Sequence, residues 1–227
     1  MPRTRMPPLL LALVMFHVLP CVSCGSTRSP ELRGGGILSV SREVPPGVEL
    51  VESPPNWTRG DRFVYRKGGK FRYEFRVLET DETGYVLLDE SSGAKQKLTR
   101  ELAETERAEP EEGSARRKDP FDAELSWPLW VGKRWTCQYI DKIPGKDGLP
   151  VTAEYHCDAT EEVRAPAGTF RCFRIWRNAK LKIPGGNFFD NAAVLWYSPE
   201  VGWFVRRLED GTLRELESYH RQGRIRK

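Results

Sequence analysis

Residues 71 to 77, "FRYEFRV", alternate apolar and charged side chains without a break. A period of two belongs to a β-strand, whose successive side chains point to opposite faces, and not to an amphipathic helix. Phe71, Tyr73, Phe75 and Val77 form one face and Arg72, Glu74 and Arg76 the other, as a half-buried antiparallel strand requires. The preceding "RFVY" can pair with it through "KGG". A three-residue loop at 67–69 sets Tyr65 opposite Phe71 and Phe63 opposite Tyr73, whereas a two-residue Gly-Gly turn would set Phe63 against Glu74. Register therefore favours the longer loop. The chain then turns around Asp81 and returns as "GYVLLD".

The rest of the chain repeats this grammar. "FVRRLEDGTLREL" carries Asp210-Gly211, a strong hairpin signal, and a two-residue turn there sets Leu208 against Leu213 and Arg206 against Glu215. In "RAPAGTFRCFRIW" (164–176), Pro166 fixes its own φ and Gly168 tolerates a positive one, so the stretch predicts a hairpin corner and not an active-site loop. The strand after it is apolar on both faces, with Phe170, Cys172 and Trp176 against Phe173 and Ile175, so it is covered on both sides for part of its length. "RGDRFVY" (59–65) and "VGKRWTC" (131–137) echo each other as Gly-x-Arg-aromatic, each opening a segment, though the match is too short to establish a duplication. The pattern predicts a mainly β fold, an antiparallel meander of about ten strands curled into a half-barrel or barrel-like sheet, since sheets of about ten strands tend to curl or split.

Two stretches lack this pattern. Residues 25–55 are rich in Gly, Pro and Ser and predict a flexible tether. Residues 104–120 are charged, contain Pro and have no apolar residue larger than Ala before the final Pro, which predicts a charged mobile loop within a β-rich domain at 56–220. Residues 221–227 form a basic tail.

At the N-terminus two arginines precede an apolar run from Leu9 to Leu19 and then small residues and cysteines. This is an export signal at 1–24, too short for a stable spanning helix of about 20 residues. Val22, Ser23 and Cys24 fit the end of a lipobox, which would place a lipid anchor on Cys24, while Cys21 stands where Leu is usual; ordinary cleavage near Cys24 with release to the periplasm is the alternative. Gly25 after the cysteine favours the periplasmic face of the outer membrane. Without Arg3 and Arg5 the chain has 34 basic against 32 acidic residues, which leaves no basic face for nucleic acid.

"WPLWVGKRWTCQY", "EEVRAPAGTFRCFRI" and "VLWYSPEVGWFVRRL" occur in that order. Together they resemble a bacterial exported-protein family with the running pattern PL-x-x-Gly-Lys-x-Trp, Pro-Ala-Gly-Thr-Phe and Trp-Tyr-x-Pro-x-x-Gly, a TapB-like domain of unknown function. The resemblance covers about residues 57–220. It implies an envelope location, a β-rich fold and no established activity.

Chemistry-bearing residues are sparse. Beyond the leader lie Cys137, Cys157 and Cys172, in an oxidising compartment if exported. A turn centred on Asp147 would set Cys137 across from Cys157 for a disulfide; Cys157 with Cys172 is the rival. A metal site would need Cys137, His156, Cys157 and Cys172, yet His156 and Cys157 point to opposite faces of a strand, so no metal is predicted. His156 and His220 are the histidines beyond the leader, and Glu111-Glu112 and Glu161-Glu162 are sequence neighbours that diverge in a strand. No nucleophile, zincin or phosphate-loop motif accompanies them, so neither catalytic residues nor a cofactor is predicted. "RGD" (59–61) is turn chemistry, and "NWT" (56–58) is a glycosylation match in a bacterial-type leader context. The remaining lead is aromatic: Trp130, Trp135, Trp176, Trp196, Tyr197 and Trp203 pack a core or line a cleft for an apolar or amphipathic ligand. Three functions stand open: a non-enzymatic envelope protein binding such a ligand, an envelope scaffold binding another protein, and a hydrolase assembled from distant residues.

Overall fold

The computed structural model describes residues 35–110, 115–183 and 185–222. The chain divides into two units, Met1–Glu31 and Leu32–Lys227, and all described residues lie in the second. The leader, Cys24 and the tail from 223 onward lie outside them. No described residue is helical.

Strands β1 (Gly36–Val40) and β2 (Leu50–Val51) precede a six-stranded meander of β3 (Arg62–Lys67), β4 (Phe71–Thr80), β5 (Gly84–Asp89), β6 (Lys95–Thr99), β7 (Glu104–Ala108) and β8 (Ala115–Asp122). After a short β9 (Leu129–Trp130), a second meander follows: β10 (Arg134–Lys142), β11 (Leu149–Ala165), β12 (Gly168–Lys182), β13 (Phe188–Ser198), β14 (Trp203–Glu209) and β15 (Thr212–His220). Each meander is antiparallel. β15 pairs with β3 at one seam and β8 with β10 at the other, so twelve strands close into a barrel. Closure removes the open edges that would invite association with another chain.

The fold is thus mainly β and antiparallel, as expected, but it has more than about ten strands and closes fully, where a half-barrel or barrel-like sheet was expected. The difference comes from residues 104–120, which form β7 and β8 and not a loop. These strands need no apolar face because their charges are matched across strands: Glu106 accepts from Lys97 at 2.9 Å and from Arg117 at 3.0 Å, and Lys118 reaches Glu104 at 2.8 Å. Part of the expected tether is also ordered. β1 adds to β10 at Trp135–Gln138, just beyond where β8 pairs with Ile140–Lys142, and β2 forms a small ribbon with β9.

The two echo segments open the two meanders, and they enter in the same way. Gly60 and Gly132 both have positive φ, at 93° and 101°. The Gly60 amide donates to Val77 O and the Val77 amide to Asp61 O; the Gly132 amide donates to Cys157 O and the Cys157 amide to Lys133 O. The residue after each glycine, Asp61 or Lys133, is buried. Asp61 belongs to "RGD"; its carboxylate accepts from Thr58, the expected turn chemistry, and also from Arg221 and the Gln222 amide, distant in sequence.

The Asp210-Gly211 hairpin has the expected register, Leu208 against Leu213 and Arg206 against Glu215. Ala165 pairs with Gly168, so "RAPAGTF" is a hairpin corner. The β3–β4 loop has the expected three residues but sits one place later, pairing Lys67 with Phe71, Tyr65 with Tyr73 and Phe63 with Phe75.

In an antiparallel barrel alternate turns share one end. The β3–β4, β5–β6, β7–β8, β10–β11, β12–β13 and β14–β15 turns therefore gather at one end, and the corner at 166–167 and residues 123–133 at the other. That second end is packed: Trp57 lies against Phe63, Tyr85 and Trp203, and Leu125 and Leu129 of the 123–133 connection are buried.

Candidate functional site

Inside the barrel, toward the turn-bearing end, lies a cavity of ≈ 470 Å³. That is within the roughly 300–1,000 Å³ of small-molecule pockets. Its wall is divided. Tyr65 of β3, Tyr73 and Phe75 of β4, Leu98 of β6 and Phe204 of β14 make an apolar arc. Glu104 and Arg107 of β7, Arg116, Lys118 and Asp122 of β8, Asp141 of β10 and Arg177 of β12 make a charged one. Arg207, Glu209 and Arg214 stand where the arcs meet, on β14 and β15. The same alternation that places apolar residues inward on β3 and β4 places ions inward on β7 and β8.

The charged arc is organised around Asp122. Its carboxylate accepts from Tyr139 at 3.0 Å and from Tyr155, and it pairs with Arg177 at 3.3 Å and Lys118 at 3.4 Å. Burial opposes ionisation, but Lys118 and Arg177, followed by the two tyrosine hydroxyls, outweigh it and hold the carboxyl well below the usual range. Burial, with the neighbouring Asp122 carboxylate, pushes both tyrosine hydroxyls up, so they remain donors. Arg116 grips Asp141 through two nitrogens and ties β8 to β10. These are pairs that hold charge in place.

The tryptophans do not form the expected cleft. Of Trp130, Trp135, Trp176, Trp196, Tyr197 and Trp203, Trp203 alone lines the cavity. Trp130, Trp135 and Tyr197 are buried in packing. Trp176 is 48% exposed, its indole N–H donating to Asp158, and Trp196 donates to Glu161 with Arg206 over its ring. Both sit on the outer face because the strands carry Ile175 and Leu195 inward.

The cysteines are not paired. Cys137 faces Ala153 because the β10–β11 ladder closes at Asp141–Leu149, which centres the turn on Gly145 and not Asp147. Cys157 pairs with Ile175 and Cys172 with Glu161. All three thiols are free and buried, and burial pushes them up to about 11 for Cys137 and about 12 for Cys157 and Cys172, far from reactive. His156 is half-buried and lowered by burial and by Arg134. Among the described residues no three His, Cys, Asp or Glu side chains converge as metal ligands.

Lys133 was not singled out by its motif. It is 1% exposed, donates to Ser126 O at 2.9 Å and Pro128 O at 2.6 Å, and lies 4.7 Å from the Trp130 ring. No carboxylate among the described residues pairs with it, and burial brings its pKa down to about 8. A free lysine titrates near 10.4. Between those values the unfolded chain holds a proton on this lysine that the native chain has lost, so Lys133 contributes stability that rises with pH from about 8 to about 10.4, against the opposite contribution of the three buried thiols, whose pKa values are raised. Lys133→Met should lack that contribution, losing about 1–3 kcal/mol at about pH 7.5, where the Ser126 and Pro128 carbonyls go unpaired, and a larger amount at about pH 10. Urea midpoints of both proteins at about pH 7.5 and about pH 10 would show it; parallel slopes would contradict it.

The residues that sequence reasoning missed are the inward arginines. The Asp210-Gly211 register already implies that Arg207 faces Arg214, but the expectation that a core face is apolar hid its meaning.

Comparison with known proteins finds distant structural similarity. Similar solved structures include the hypothetical lipoprotein YmcC from Escherichia coli, at 10% identity over 73% of this chain and 90% of that one, with a TM-score of 0.47. A protein described as a candidate lipoprotein from Parabacteroides distasonis is 15% identical over 74% of this chain and 97% of its own, with a TM-score of 0.43. A candidate exported protein with a YmcC-like fold from Bacteroides fragilis is 14% identical over 76% and 100%, with a TM-score of 0.41. No curated protein matches the chain. The model of the DUF3108-like family matches residues 153–224, which include the Pro-Ala-Gly-Thr-Phe corner and the Trp-Tyr-x-Pro-x-x-Gly turn, so the resemblance to an exported family of unknown function fits.

Proposed function

We propose that this chain is an exported envelope protein that holds an amphipathic molecule inside its barrel without carrying out chemistry on it. The divided wall of the cavity carries this reading: one arc offers aromatic and aliphatic surface, the other fixed ions, as a ligand with an apolar body and a polar end would need. The export leader supports an envelope location, and the lipobox-like end supports a lipid anchor on Cys24 at the periplasmic face of the outer membrane. A scaffold role is the second reading. It draws on the β12–β13 hairpin, which runs past the last β13–β14 pair, Ala193–Glu209, and exposes Phe188 at 63% and Phe189 at 55%.

Native mass spectrometry of the full chain, expressed with its own leader and purified from the envelope, tests this. A non-covalent mass above the polypeptide is expected, on a chain that begins at an acylated Cys24. A bare polypeptide would overturn the ligand reading in favour of the scaffold.

A further inference from the structure

We propose that Arg214, set against Arg207, is the seat for an anionic group, a carboxylate or phosphate, at the head of an apolar chain. This rests on the ligand reading above and names the ligand's class.

Arg207 and Arg214 are directly opposed across β14 and β15, and both line the cavity. Like charges facing each other across a ladder destabilise it unless something lies between them. Arg207 is satisfied: Glu124 meets it at 2.8 Å and Glu209 at 3.0 Å. Arg214 is held more loosely. Its nearest carboxylate is Glu209 at 3.9 Å, its guanidinium also meets the Tyr73 hydroxyl, and although its side chain is 35% exposed its Nε is buried with no hydrogen-bond partner. A buried donor atom without an acceptor is costly, and on a cavity wall a ligand oxygen would complete it.

The surroundings fit an attached chain. β15 lies beside β3, where Leu216 pairs with Tyr65 and Arg214 with Lys67. Tyr65 stacks on Tyr73 at 5.5 Å and spends its hydroxyl on Phe204 O at 2.7 Å, so its ring is presented as apolar surface. From Arg214 a chain would run over Tyr73, Tyr65 and Phe75 toward Leu98. Guanidinium is suited to the head because its planar fork can meet two oxygens at once.

The test is calorimetric titration of the full chain, stripped of lipid by detergent exchange, with decanoate, decyl phosphate and decanol. The anions should bind wild type more tightly than decanol. Arg214→Gln should weaken both anions about tenfold and leave decanol unchanged, with Arg214→Lys in between. A preference for decyl phosphate would point to a phospholipid-type source, and for decanoate to a fatty acid. Equal binding of decanol and the anions to wild type, or an unchanged affinity in a folded Arg214→Gln, would overturn the assignment while leaving the cavity reading intact. Failure of all three to bind would overturn both. The wild-type comparison decides the matter even if Arg214→Gln does not fold; its near-UV circular dichroism would show that.

Discussion

Asp122→Ala is expected to lose about 3–5 kcal/mol of folding stability, the cost of removing one partner from a buried ion pair. Asp122 is 1% exposed and is the shared acceptor for Arg177, Lys118, Tyr139 and Tyr155. Its removal leaves two cations facing each other in the interior and two hydroxyls without their acceptor. Lys118 keeps Glu104 at 2.8 Å, but Arg177 has no second carboxylate among its close ion pairs. The loss falls on β8, the strand whose pairing with β10 closes the barrel through three residue pairs. The same group sets an acid limit. Its folded pKa lies below the unfolded value of about 3.9, so its contribution is complete above that value and is lost as pH falls through the folded one. Chemical denaturation at neutral pH checks the first effect. A pH series below about 5 checks the second, in which Asp122→Ala should show a shallower acid loss than wild type.

Trp135→Ala should cost about 3–5 kcal/mol, as large-to-small changes of buried aromatics do. The indole is 1% exposed, stacks on Tyr155 with centroids 5.1 Å apart and planes 7° from parallel, and donates to Ala123 O at 2.8 Å. It joins β10 and β11 to the connection that seals the packed end of the barrel. Tyr155 is also the donor to Asp122, so the two changes meet at one ring and should not be additive. Trp135→Phe keeps most of the stacking and should lose chiefly the hydrogen bond, about 0.5–1.5 kcal/mol. Thermal melts of both variants would rank them. An alanine variant as stable as the phenylalanine one would contradict the packing described here.

Local chemistry made much of the fold legible. Asp-Gly and Pro-Ala-Gly mark turns by backbone conformation, and the alternation in 71–77 marks a strand whatever surrounds it. β7 and β8 escaped because binary patterning assumes an apolar core face, and here the face meets fixed counter-ions such as Asp141 and Glu104. The count of about ten strands followed from that omission. The Cys137 register escaped because the residues between Lys142 and Gly148 admit more than one turn centre, and a shift of the centre from 145 to 147 moves every partner by four positions. The tryptophans misled because large aromatics serve packed cores and ligand walls alike; Trp203 reaches the cavity while Trp135, in the same fold, does not. Three arginines close together in sequence, Arg206, Arg207 and Arg214, divide by strand parity into an outward one that pairs with Glu215 and two inward ones that face each other.

The most direct measurement is a crystal structure of the full chain purified from the bacterial envelope without stripping. Continuous non-protein density is expected inside the barrel, with its polar end at Arg214 and its body against Tyr73, Tyr65 and Phe75. An interior filled by the protein's own side chains, or by discrete waters alone, would contradict a ligand-holding barrel.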